Sequence, residues 1–216
     1  MQKMLIACAA ALVAGLIAGP AMAADIECDG KKLIIVDKLA AATKAKMVFV
    51  SKDQLCGIGT NSIGSDDNDP STVSATFEFA YGDGSTGGSL DMPQGVSDGQ
   101  KGWLVNKLTV SKYVNKGAPG TGATKVAVIK PGKLLKAVGK SLGDSPIDIF
   151  GAGEPTGSPH VRWNYTVNNA GGSDSHCGGL NCKYKLIAGD TGAKLVCKDL
   201  VAGIDCSGSP SGAFID

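Results

Sequence analysis

The chain is almost without arginine. Arg162 is the only one among 21 basic residues, and every other one is a lysine. Planar, two-pronged recognition of phosphate or carboxylate therefore has next to nothing to work with. Glutamate is nearly as scarce, at Glu27, Glu78 and Glu154, so a glycosidase-type carboxylate pair would have to draw on aspartates, and no two of them stand out. The two histidines, His160 and His176, lie in no recognisable nucleophile motif. His-Glu-x-x-His and a P-loop are missing. So are the Cys-x-x-Cys of thioredoxin-like proteins and the Cys-x-x-Cys-His of haem attachment. Charge of one sign does not dominate either: the formal net charge is +1. That balance argues against nucleic acid as a partner, because nucleic acid rewards clustered Lys and Arg.

What is present begins with a leader. Lys3 supplies a positive start, residues 4–19 are apolar or small, Pro20 breaks the run, and Ala21-Met22-Ala23 forms a small-residue cleavage site. Residues 1–23 thus read as a cleaved signal peptide, and the run is too short and too broken to be a membrane span. Loss of the leader removes Lys3 and brings the formal charge to about zero. The expected mature chain, residues 24–216, is one domain, periplasmic or extracellular, with room for one sizeable core.

Short β-branched and aromatic runs recur between Gly, Ser, Asn, Asp and Pro, with 31 glycines to supply turns and bulges. This pattern predicts an all-β fold, a β-sandwich of jelly-roll or Greek-key type with at most one or two short helices. Strands are expected over residues 32–38, 46–51, 73–81, 125–130, 134–138 and 161–167. The first two are continuously apolar, which predicts a sheet covered on both faces. Residues 73–81 alternate, with Ala75, Phe77 and Phe79 on one side and Thr76 and Glu78 on the other. Leu104, Leu108, Val110, Tyr113 and Val114 approximate a helical stripe, capped by Thr109; a strand with a turn fits the same residues equally well.

Six cysteines follow the leader, and four of them crowd near the C-terminus. In an exported chain they predict disulfides. Residues 182–188 and 191–197 flank Gly189-Asp190, which suits a two-residue hairpin turn. In that register Cys182 opposes Cys197, within reach of a cross-strand bridge, and Lys185 opposes Lys194, an unfavourable pair. Cys177 with Cys206 would then nest outside it in a C-terminal hairpin over 177–206, leaving Cys28 for Cys56. The alternative for the tail joins Cys177 to Cys182 and Cys197 to Cys206. A zinc site from His176, Cys177, Cys182 and Cys197 does not match the spacing of a zinc knuckle.

Three further groups are candidate sites. Asp66, Asp67 and Asp69 form the densest acidic spot and offer oxygen ligands to Ca²⁺, although the EF-hand offsets fail. A solvated turn before Pro70 accounts for the same residues. Trp163, Tyr165 and Tyr184 would stack on sugars if exposed, and belong to a core if not. No other cofactor is indicated.

The runs Gly30-Lys-Lys-Leu-Ile-Ile-Val36, Val128-Ile-Lys-Pro-Gly-Lys-Leu-Leu-Lys136, Cys182-Lys-Tyr-Lys and Lys194-Leu-Val-Cys-Lys198 resemble segments of uncharacterised secreted, β-rich, cysteine-bearing proteins of environmental bacteria. The resemblance implies an exported β domain and carries no functional residue. The sequence therefore leads to a non-catalytic secreted module, binding a glycan or protein or serving as surface matrix. The alternative is a secreted hydrolase acting on a cell-surface polymer.

Overall fold

The computed structural model describes residues 25–38, 45–57, 69–81, 86–104, 109–117, 122–140, 160–169, 172–187 and 192–201. Twelve strands occur in this order: β1 (Asp25–Glu27), β2 (Gly30–Lys38), β3 (Lys46–Ser51), β4 (Ala75–Tyr81), β5 (Thr86–Met92), β6 (Lys101–Leu104), β7 (Ser111–Asn115), β8 (Thr124–Lys130), β9 (Leu134–Lys140), β10 (His160–Asn169), β11 (Gly172–Leu186) and β12 (Gly192–Val201). One helical turn, α1 (Pro70–Val73), precedes β4. The chain is all-β.

The strands form one sheet, in the order β5-β4-β10-β11-β12-β2-β3-β9-β8-β7-β6. The sandwich expected from the sequence would need a break in this ladder, and the ladder has none. The 15-residue β11 is the reason the two halves stay joined. One of its edges bonds β10 from Gly172 to Asn181, while the other takes β1 at residues 175–177 and β12 from Gly179 onward.

The two ends of the sheet, β5 and β6, are neighbours in sequence, and the segment between them draws the edges together. Gly95 N donates to Ser71 O at 2.7 Å, Trp103 N to Gly95 O at 2.9 Å, and Ser97 N to Trp103 O at 2.8 Å. Gly102 makes this approach feasible. Its φ of +120° excludes other residues, and a Cβ there would lie 2.9 Å from Gly95 O. Across the core, Thr124 Oγ1 donates to Asp91 O at 2.6 Å. A Cβ on Gly139 would come 2.6 Å from Leu90 Cδ2. The result is a near-closed barrel.

Side chains alternate in and out along every strand. Inward residues fill the interior: Phe49 lies 4.4 Å from Trp163 and 4.7 Å from Phe77, centroid to centroid, and Trp103 meets Tyr113 edge-on at 5.3 Å. Leu33, Ile35, Met47, Leu90 and Leu195 are fully buried around them. Beyond the anticipated strands, β6 and β7 occupy the region where the sequence also admitted a helix. There Tyr113 and Ser111 point inward and Lys112 outward, a period of two rather than of 3.6.

Candidate binding face

The outward side chains of β12, β2, β3, β9, β8 and β7 form the candidate site. The registers align them in rows that run across the strands. Val196 pairs with Ile34, Ile34 with Val48, Val48 with Val138, Val138 with Val126, and Val126 with Val114. This is an unbroken aliphatic row over six strands on the outside of the barrel. Of these residues all but Val114 are only half-buried. The sequence reading expected the continuously apolar β2 and β3 to be covered on both faces. Instead Ile34, Val36, Val48 and Val50 stand on the solvent side.

Lysines border that row on both sides. On one side Lys185 pairs with Lys194, Lys194 with Val36, Val36 with Lys46, and Lys46 with Lys140. On the other, Lys32 pairs with Val50, Val50 with Lys136, Lys136 with Val128, and Val128 with Lys112. Lys183, at the end of the aliphatic row, adds another cation. Among the described residues of these two rows and the row between them there is no carboxylate; Asp37, the acidic residue of β2, is buried on the inward side.

Neighbouring strands are about 4.8 Å apart and residues about 3.3 Å apart along a strand. The aliphatic floor is thus about 24 Å long across six strands. The two lysine rows, four residues apart on each strand, are about 13 Å from each other. On the far arc, β4 and β5 present Glu78 and Asp91 on the outside, with no lysine on either strand. Partial burial and the Asp91 charge raise the Glu78 carboxyl above its ordinary range.

An open recess of about 470 Å³ adjoins the face, lined by Thr109, Val110, Lys130, Pro131 and Lys133. Comparison with protein-family models, curated proteins and solved structures finds no match to this chain. The site is therefore read from its own chemistry.

The residues singled out in the sequence are distributed otherwise. Trp163 and Tyr165 have no exposed surface. They belong to the barrel core, where Tyr165 Oη donates to Met92 Sδ at 3.3 Å, so stacking on a sugar is ruled out for both. Tyr184 is half-buried against the same core. Asp69 is buried and caps α1, its Oδ1 accepting from Ser71 N at 2.8 Å. Asp66 and Asp67 lie outside the described residues. His176 is fully buried opposite Tyr165, and the side chain of His160 is outside the described set.

Cys182 and Cys197 are bonded across β11 and β12, with Lys185 opposite Lys194. Cys28 is bonded to Cys56, which fixes the start of β2 to the turn after β3. Asp53 fastens the same turn by accepting from Asp29 N at 2.6 Å and Leu55 N at 2.9 Å. Cys177 is disulfide-bonded as well; Cys206 lies outside the described residues, as do residues 1–23.

The sequence could not show the candidate face. Its lysines are scattered from Lys32 to Lys194, and only the pairing of strands distant in sequence brings them into rows. The one available signal was the outward apolar residues in β2 and β3, whose continuity points to a covering layer.

Proposed function

We propose that the protein is a non-catalytic, exported binding module that holds an anionic ligand on the outer face of β12, β2, β3, β9, β8 and β7. The observation that carries this reading is the pair of lysine rows with no acidic side chain among them. Surfaces normally intersperse both signs, and here two like-charged pairs, Lys46 with Lys140 and Lys185 with Lys194, face each other directly. Such pairs destabilise a sheet, and an anionic ligand relieves that repulsion. The disulfides suit an oxidising compartment. No helix among the described residues is long and apolar enough to cross a membrane.

The test is binding of the oxidised protein to surfaces coated with polygalacturonate, dextran sulfate or neutral dextran. The two anionic coatings are expected to retain it at low salt and release it at 0.5 M salt (about a 4 Å Debye length), and neutral dextran to retain none. The double variant Lys46→Glu/Lys140→Glu is expected to lose retention, whereas Glu78→Gln on the far arc keeps it. Equal retention of the double variant overturns the reading. Release of new reducing ends from the polymer would put a hydrolase in its place.

A further inference from the structure

Resting on that reading, we infer that the ligand is a linear, flexible acidic polysaccharide lying across the strands, along the aliphatic row and between the two lysine rows. Three observations select this occupant. The first is depth. Valine and isoleucine side chains are short, and the lysine stems beside them are long, so the ammonium groups stand above an apolar floor. A single extended chain fits such a trough, with its carboxylates towards the lysines and its C–H faces on Val48, Val138 and Ile34.

The second is curvature. The row crosses six of the eleven strands in the path of a near-closed barrel. A flat bilayer would touch only part of it, while a flexible polymer can follow it throughout. The third is what the face lacks. Among the described residues it carries no arginine and no aromatic ring: the sole arginine, Arg162, lies on β10, and Trp163, Tyr165, Trp103 and Tyr113 point into the core. Single-stranded nucleic acid is held by stacking on aromatic platforms, and bidentate phosphate contacts need arginine. Lysine, a point charge on a flexible stem, suits the dispersed carboxylates of an acidic glycan.

Oligogalacturonates of increasing length separate this inference from the broader reading. Affinity is expected to climb with length until the oligomer spans about 24 Å, the width of six strands, and then to level off. Replacing lysines on either side, Lys46→Gln/Lys140→Gln or Lys112→Gln/Lys136→Gln, is expected to weaken binding about tenfold. Either pair is also expected to flatten the dependence of log affinity on log salt, as the loss of released counterions requires. Lys31→Gln and Lys133→Gln, outside the two rows, should leave both unchanged. Vesicles of phosphatidylcholine with 30% phosphatidylglycerol should bind more weakly than the oligomer at equal charge.

Affinity that rises with length without levelling off overturns the trough while the anion-binding face stands, provided that Lys46→Glu/Lys140→Glu still abolishes retention. Binding of the vesicles but not of the oligomers does the same. Retention on polyanion surfaces that ignores every variant of the face removes both readings.

Discussion

Lys46 and Lys140 face each other across β3 and β9, and Lys185 faces Lys194 across β11 and β12. Each pair sets two ammonium groups side by side, at a cost of about 0.2–1 kcal/mol. Lys185→Glu turns one of them into an opposite-charge pair. In urea melts it is expected to raise stability by that order of magnitude at low salt, and the gain should fade at high salt as the charges are screened. Inside the barrel the balance is different. Phe49 touches both Phe77 and Trp163, and Phe49→Ala is expected to cost about 3–5 kcal/mol through lost burial and the cavity left behind. Trp163 Nε1 is buried without a hydrogen-bond partner among the described residues, so Trp163→Phe is expected to cost far less, because it also removes an unsatisfied donor.

Two titrations belong to the residue scale as well. Burial pushes Tyr113 up to about 12, above the ordinary phenol near 10. Its neutral form is favoured in the fold, so its contribution is complete below pH 10 and is lost as pH rises from about 10 to about 12. The phenolate absorbance of Tyr113 should appear only near the top of that window, at about pH 12, or together with unfolding, and Tyr113→Phe should make stability flatter over the same range. The Glu78 carboxyl is also raised. Its ionised form is disfavoured in the fold, so Glu78→Gln should raise the melting temperature at pH 7. That gain should vanish below the ordinary glutamate range near pH 4.3.

At the scale of elements, the disulfides lock two of the contacts that shape the sheet. Cys28–Cys56 closes a sequence separation of 28 residues and Cys182–Cys197 one of 15. On the chain-entropy model each contributes about 3–4 kcal/mol. Reduction, which also opens the bridge of Cys177, is expected to lower the denaturant midpoint, and Cys182→Ser/Cys197→Ser should give only part of that fall. Much of the element list was legible beforehand. β2, β3, β4, β8, β9 and β10 follow from β-branched runs, and the β11–β12 register follows from counting outward from a two-residue turn to Cys182 and Cys197. β5 was hidden because Thr86–Met92 contains two adjacent glycines, which weaken any strand signal. β6 is too short to show a period, and β7 was obscured because Leu104, Leu108 and Tyr113 also match a helical spacing. In each case pairing with neighbours, rather than local preference, decides the outcome.

At the scale of the molecule, composition reports the amount of charge and not its arrangement. Equal numbers of lysines and acids suggested no electrostatic partner, yet lysines line one arc of the barrel and Glu78 and Asp91 mark another. Nothing local encodes this division. It depends on β12 lying beside β2 and β3 beside β9, contacts between residues far apart in the chain. Likewise, the near closure of the barrel rests on Gly95 and Ser97 between β5 and β6 and on Gly102 within β6. Gly102→Ala is therefore expected to destabilise the seam and to quicken amide exchange at Trp103 before the rest of the barrel responds.

The central claim, an anion-binding face on the outside of the sheet, is tested most directly by methyl NMR during titration with oligogalacturonate. The account predicts shifts at the outward methyls of Ile34, Val48, Val126, Val138 and Val196. The inward methyls of Leu33, Ile35 and Leu135 should stay in place. Shifts confined to the recess at Val110, or none at the outward valines while the polymer binds, would contradict it.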